Sequence, residues 1–188
     1  VLHNYFSDSI KAKSFYMARH LKLLTITALS VALLGCAAAP RKIEVSAPFN
    51  LEEAKAMLKP GKNSISGSAM MRQAGGGVVT CAGEEVNLVP ETEYANQRIG
   101  KAYGSTDRGY INVYQARIQI ANPPGYLEST LKTRCDPQGK FTFKNVGDGN
   151  WFVVTGVIWL VGYSTEGGML MERISLKGGQ NHEIIMTP

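Results

Sequence analysis

Cys135-Asp136-Pro137-Gln138-Gly139-Lys140-Phe141-Thr142-Phe143-Lys144-Asn145-Val146, followed by Gly149-Asn150-Trp151-Phe152-Val153-Val154, is the stretch whose reading decides the fold. Asp136 to Gly139 reads as a β-turn, with proline after aspartate and glycine at the end. Lys140 to Lys144 then alternates polar and apolar residues, placing Phe141 and Phe143 on one face of a half-buried strand. Gly147-Asp148-Gly149-Asn150 turns the chain again. Trp151 to Tyr163 is a long apolar strand, and Gly156 inside it predicts a bulge or bend.

The same grammar extends both ways. Thr165 to Gly168 reads as a turn. Met169 to Leu176 and His182 to Met186 read as the last strands, joined through Lys177 to Asn181. Upstream, Tyr126 to Cys135 reads as a polar, threonine-containing strand. Further back, Ile65, Gly67, Ala69 and Met71 alternate with Ser64, Ser66, Ser68 and Met70. A glycine-rich turn at Gln73 to Gly77 leads to two short strands, Val78 to Cys81 and Glu85 to Val89, and Val86 and Leu88 share a face of the second. Pro90 closes it. Gly75-Gly76-Gly77 is no phosphate loop, because no Lys-Ser/Thr follows and no helix opens there. Nothing in the chain calls for a cofactor or a metal. Short alternating strands with turn signals at about 8–12-residue spacing indicate an all-β sandwich.

Two segments depart from the strand period. Asn50 opens a short helix: asparagine is a good N-cap, Glu53 stands at capping-box spacing, and Phe49 and Ala54 occupy the staple positions. Leu51, Ala54, Met57 and Leu58 form its apolar stripe, and Pro60-Gly61 ends it. Glu91 to Gly125 is a partly helical insertion. Thr92 to Lys101 is its candidate helix, Asp107 to Gly109 a turn, Tyr110 to Ile120 a candidate strand, and Asn122-Pro123-Pro124-Gly125 a strong break. Tyr94, Tyr103, Tyr110 and Tyr114 lie in this insertion with Arg98, Arg108 and Arg117 among them. Tyrosine and arginine together are favoured at binding hot spots, and tyrosine suits sugar stacking. Tyr94, Arg98, Tyr103, Tyr110, Tyr114 and Arg117 are therefore the candidate binding residues; the alternative is ordinary core tyrosines with solvated arginines.

The run from Cys135 to Val154 resembles the carboxypeptidase regulatory-like domain: a turn ending in glycine, Phe-x-Phe, a short loop, glycine, and an aromatic-apolar strand. Ile65 with Gly67, and Val86-Asn87-Leu88, match its first strands more loosely. The resemblance covers residues 63–187. It implies a transthyretin-like Greek-key sandwich of about seven strands over residues 49–188, with 91–125 inserted. It implies no shared catalytic residues, because that domain is a structural and binding module. The transthyretin-like fold does include a hydrolase of the urate pathway. That enzyme needs several His and Arg residues and ends in Tyr-Arg-Gly-Ser, whereas this chain ends Ile184-Ile185-Met186-Thr187-Pro188.

The N-terminal part carries an address. Arg19, His20 and Lys22 precede an apolar run, Leu23 to Leu34, and a small residue, Gly35, which is the order of a secretory signal. The run is too short for a transmembrane helix of about 20 residues. Met17 is a plausible start of translation, which makes 1–16 an upstream extension and 1–35 a removed segment. Leu33-Leu34-Gly35-Cys36 resembles the lipobox of bacterial lipoproteins. The resemblance implies that Cys36 is acylated and becomes the first mature residue, on a tether spanning 36–48. Ala37, rather than aspartate, in the next position favours the outer membrane, with the domain facing the periplasm.

Removing 1–35 takes Lys11, Lys13, Arg19, Lys22 and Asp8 with it, so the net charge of +5 falls to +2. No basic run follows Lys42, which argues against nucleic acid as a partner. With Cys36 on lipid, Cys81 and Cys135 remain. An oxidising periplasm permits a disulfide between them; the alternative is two unrelated buried thiols.

Catalysis finds little support. The mature chain has one histidine, His182, beside Glu183 in an alternating strand, and no Gly-x-Ser-x-Gly elbow. Glu84, Glu85, Glu91 and Glu93 are the densest carboxylates and read as a solvated face. The expectation is a lipid-anchored, non-enzymatic binding or scaffold module for an envelope protein or a polysaccharide. The alternative is a small periplasmic hydrolase or ligand-binding protein that uses 91–125 as a pocket wall.

Overall fold

A computed structural model describes residues 40–116 and 118–188. The expected signal segment 1–35, the expected acylation site Cys36 and Arg117 lie outside the described residues. In chain order the elements are β1 (Arg41–Ile43), α1 (Leu51–Met57), β2 (Asn63–Arg72), β3 (Val78–Thr80), β4 (Glu85–Pro90), α2 (Glu93–Tyr103), β5 (Arg108–Asn112), β6 (Ile118–Ile120), β7 (Leu131–Arg134), β8 (Lys140–Val146), β9 (Gly149–Val161), β10 (Ser164–Leu176) and β11 (Asn181–Met186). The chain is of the all-β class with two short helices. One sheet has the order β5-β10-β9-β4-β7, with every pair antiparallel. The second is built on β2. Strand β11 pairs with it in parallel, and β8 and β3 pair with it in antiparallel fashion. These two sheets hold nine strands, against the seven implied by the resemblance, and the insertion supplies one of them, β5.

The two sheets share one core. Val86, Leu88, Trp151, Val153, Leu170 and Ile174 of the first are buried with Ile65, Phe141, Phe143, Ile184 and Met186 of the second. Alternation puts Ile65, Val86, Leu88, Phe141 and Phe143 on these apolar faces, and the others join them from β9, β10 and β11. The turn before β8 is held by Asp136, whose Oδ1 accepts from the backbone N–H of Gln138 at 2.9 Å and of Lys140 at 2.8 Å. Gly139 has φ +77°, and a Cβ there would fall 2.3 Å from Thr80 Cβ, so no other residue fits. Beside it, Cys81 and Cys135 form a disulfide. The bond ties the end of β3 to the end of β7, which are strands of different sheets.

The first sheet is covered on its other face as well. Val89, Phe152 and Met171 are buried against Tyr94, Ala95 and Ile99 of α2 and against Tyr126. The unbroken apolar run at Trp151–Val154 follows from this double burial. Thr92 caps α2 by accepting from the Ala95 N–H at 3.2 Å. Asn50 caps α1 by accepting from the Glu52 and Glu53 N–H groups at 3.1 Å each. Ala54 of α1 is buried, and Phe49 before the cap packs on the insertion's aromatic cluster. Its ring stands 5.5 Å from those of both Tyr94 and Tyr126, in edge-to-face contact.

Several boundaries differ from the expectation. Arg108–Asn112 is strand β5, so Asp107 to Gly109 is not the turn, and Tyr110 to Ile120 is not one strand. The chain turns after Asn112, whose side chain accepts from the Tyr114 N–H at 2.9 Å and the Gln115 N–H at 3.1 Å. This is the local bonding that makes asparagine a turn former. Residues 126–130 coil rather than extend, with the Ser129 hydroxyl donating to Gly125 O at 2.7 Å, and only Leu131–Arg134 is strand. Coiling lets Tyr126 enter the aromatic cluster. Gly156 makes no bulge; it pairs with Met169 in an unbroken register. The hairpin turn is Gly162-Tyr163 rather than Thr165 to Gly168. Gly162 has φ +60° at the first central position, where a two-residue II′ turn takes glycine. Residues 41–43 of the expected tether form β1, which pairs in parallel with β6.

Candidate functional site

Helix α2 covers only part of the outer face of the five-stranded sheet. Beyond it a cleft of about 500 Å³ opens between the sheet and the insertion. Its floor is the outward-facing residues of four strands: Asn87 and Val89 of β4, Ile111 of β5, Val154 of β9 and Met169 of β10. One wall is Arg98, Ile99, Ala102 and Tyr103 on α2. The other is Ala116, Ile118, Ile120 and Asn122 from the rest of the insertion, with Tyr126 and Leu127 just after it. Thr130, Lys132 and Glu85 close the far rim. Such a mix, an apolar bed with a few polar groups at the edge, is characteristic of small-ligand clefts.

Arg98 joins the two walls. Its guanidinium donates to Ala121 O at 3.1 Å, to Asn122 Oδ1 at 2.8 Å and to the Tyr94 hydroxyl at 3.2 Å. It also lies 4.6 Å from the centre of the Tyr126 ring. The Tyr94 hydroxyl itself donates to Ala121 O at 2.9 Å. Both terminal nitrogens of the planar fork are engaged in holding the loop against the helix. Arg98→Ala is expected to cost about 1–2 kcal/mol from the lost cation–π contact and hydrogen bonds. Arg98→Lys recovers little, because an ammonium cannot match the fork. Urea unfolding measures the loss, and faster proteolytic nicking between residues 113 and 127 reports the freed loop.

Charge at the rim is balanced. Glu85 and Lys132, on neighbouring strands, form an ion pair at 3.2 Å. The hydrogen bond from Lys132, and then that from Asn87, holds the exposed Glu85 carboxyl below the usual carboxylate range. Burial pushes the Tyr103 and Tyr126 hydroxyls up, so both stay protonated donors across the physiological range.

The structure separates the expected binding residues. Arg98 and Tyr103 line the cleft. Tyr94 is buried behind α2, with its ring packed on Phe49 and Tyr126. Tyr110 and Tyr114 point to the opposite end of the insertion. Their hydroxyls donate to Gly167 O and Glu166 Oε1, each at 3.2 Å. Among the described residues, these tyrosines and Arg98 therefore form no single flat patch. Asn87, Val154, Met169, Tyr126, Thr130 and Lys132 were missed. The signal for Asn87, Val154 and Met169 was the outer face of β4, β9 and β10, read from the period of 2. The acidic group is also dispersed. Glu91 is half-buried and pairs with Arg173 at 2.8 Å, while Glu85 faces the cleft. His182 sits on β11 opposite Ile65, in the other sheet. Among the described residues, no three His, Cys, Asp or Glu side chains converge as a metal site requires, and no helix is long and apolar enough to cross a membrane.

No protein-family model matches the chain, and no curated protein sequence matches it. It shares its fold with the crystal structure of a provisionally assigned carbohydrate binding protein from Pseudomonas aeruginosa. The TM-score is 0.63 at 19% identity, over 76% of this chain and 99% of that one. The likeness is one of fold.

Proposed function

We propose that this protein is a non-catalytic carbohydrate-binding module of the bacterial envelope, held at the outer membrane by acylated Cys36. The saccharide would lie in the cleft beside α2, on the uncovered part of the five-stranded sheet. The observation that carries this reading is the cleft itself: apolar Val154, Met169 and Ile111 with polar Asn87 in its floor, Asn122 in one wall, and Thr130 and the Glu85–Lys132 pair at its edge. Sugars present apolar C–H faces and a rim of hydroxyls, and this bed and rim match both. The carbohydrate binding named for the Pseudomonas aeruginosa protein of the same fold supports the substrate class. The sandwich is taken to be the Greek-key, carboxypeptidase regulatory-like type. The turn, Phe-x-Phe, glycine and Trp151 strand of the resemblance fall on β8 and β9 in that order.

Binding is favoured over hydrolysis by the lining. Its one carboxylate, Glu85, is paired with Lys132, and neither histidine nor cysteine is among the described residues that form it. Titration calorimetry against neutral and acidic envelope oligosaccharides tests the reading. Ala116→Trp, in the half-buried loop wall, fills the cleft and is expected to weaken saccharide binding at least about tenfold, a loss of ~1.4 kcal/mol, with an unchanged melting temperature. Saccharide binding that survives this substitution would put the ligand elsewhere.

A further inference from the structure

Strands β9 and β10 outrun their neighbours. Strand β4 leaves β9 after the Val86–Thr155 pair, and β5 leaves β10 after the Asn112–Gly168 pair. From Gly156 to Glu166 the two strands pair only with each other, around the Gly162-Tyr163 turn, and Gly167 O still accepts from the Val113 N–H at 3.0 Å. This ribbon is apolar where water should reach it. Ile158 is 38% exposed, Leu160 71%, Val161 58% and Tyr163 fully so. The facing residues on β10, Ser164 and Thr165, are small and uncharged. Exposed apolar clusters of this kind mark contact surfaces.

The entering chain comes in at the same end. Arg41 of β1 pairs with Ile118, just after the turn that carries Tyr114 and Gln115. Its guanidinium donates to Lys101 O and Ala102 O, and it lines one hollow with Tyr110 and Gln115. Tyr110 and Tyr114 in turn donate to Gly167 and Glu166 at the base of the ribbon. Five peptide steps separate Arg41 from Cys36, a reach of about 17 Å at most. Four residues separate Gly167 from Tyr163, about 13 Å of strand. The reach of that segment exceeds the length of the ribbon, so a lipid on Cys36 can stand level with the ribbon tip.

We propose that the tip of the β9–β10 ribbon, Ile158, Leu160, Val161 and Tyr163, rests in the interfacial layer of the phospholipid bilayer and forms a second attachment beside the acyl chains. The inference rests on the reading of Cys36 as the lipid anchor. Leucine, isoleucine and valine partition into the acyl boundary, and tyrosine favours the headgroup level. Two attachments at one end fix the tilt of the domain, so the cleft takes a defined direction relative to the membrane.

Full-length protein made in a bacterial host is reconstituted in phosphatidylethanolamine–phosphatidylglycerol vesicles, with or without brominated acyl chains. Native Trp159 lies on the ribbon, so both reporters are built in a Trp159→Phe background, in which the fully buried Trp151 is a common remainder. Tyr163→Trp places a reporter at the tip. Lys177→Trp places one in the loop after β10, at the other end of that strand. Bromine is expected to quench the first reporter and leave the second unchanged. Adding Leu160→Ser and Val161→Ser to Tyr163→Trp should reduce the quenching about twofold or more. Equal quenching of the two reporters, or none at the tip, overturns the proposal. A tip emission that is blue-shifted yet insensitive to bromine means that a second copy covers the ribbon, and also overturns it. Flotation of the vesicles reads the anchor separately. A chain that does not float defeats both readings, whereas one that floats with an unquenched tip defeats only the ribbon contact.

Discussion

Cys81→Ala with Cys135→Ala lowers folding stability by about 4 kcal/mol, the value expected for closing a loop of this length in the unfolded chain. The two cysteines are separated by 54 residues, and both are buried, at 0% and 3% exposure. The loop they close holds β4, the whole insertion and β7. Without the bond, the unfolded ensemble gains the freedom of that loop, and the ends of β3 and β7 lose the covalent tie between the two sheets. For a domain of about 150 residues the loss corresponds to a melting temperature about 10 °C lower. Calorimetry of the double variant beside the parent checks it. A fall below about 1 kcal/mol would mean that the unfolded loop is already compact or the native bond strained. Reductant alone should act slowly on the folded protein, because the sulfurs are shielded until it opens.

Asn63→Ala is expected to cost about 3 kcal/mol, because one buried side chain serves four partners. Its Nδ2 donates to Val146 O at 3.0 Å and to Asp148 Oδ1 at 2.8 Å. Its Oδ1 accepts from the Gly179 N–H at 2.9 Å and the Gln180 N–H at 2.8 Å. Asn63 is 0% exposed and stands at the start of β2, so it ties the turn after β8 to the turn after β10. Asn63→Asp keeps the two acceptor bonds but turns an oxygen towards Val146 O and the Asp148 carboxylate. It is destabilised most when both carboxyls are ionised, and recovers as acid protonates one of them.

Asp148 adds a pH signature. The Asn63 side chain first, then the Gly178 N–H, holds its carboxyl below the usual range. A carboxyl with a lowered native pKa stabilises the fold above its unfolded pKa, and that contribution is lost as pH falls through the folded value. In Asn63→Ala the main cause is gone, so this part of the acid sensitivity shrinks. Urea midpoints at about pH 7 and about pH 4, on either side of the ordinary aspartate pKa, are expected to converge for Asn63→Ala relative to the parent. For Asn63→Asp, the deficit should narrow at the lower pH.

How far the chain could be read in advance depended on the range of the interactions. The turn at Asp136–Gly139, the alternation of Phe141 and Phe143, and the cap at Asn50 are local, and each appears where residue type and spacing put it. The segments misread are those in which a local signal was outweighed. Residues 126–130 have strand-like composition, but coil so that Tyr126 meets Phe49 and Tyr94. Gly156 looked like a bulge, yet a continuous ladder with β10 holds it in register. The site was less legible than the fold. Arg98 and Tyr103 were within reach because they sit in the insertion. Asn87, Val154 and Met169 lie far apart in sequence and meet only on the outer face of one sheet.

The sequence by itself determined the all-β class, most strands, both helices and the pair of cysteines left once Cys36 is set aside, because periodicity, caps and residue counts are properties of neighbours along the chain. Tertiary structure decided which faces are covered. Helix α2 buries Val89 and Phe152 but stops short of Val154 and Met169, and the uncovered remainder is the cleft. It also sent Tyr94 inward and Tyr110 and Tyr114 to the ribbon. A side chain's role here follows from what packs against it, and that is set by strand register and helix placement across the whole domain rather than by adjacent residues.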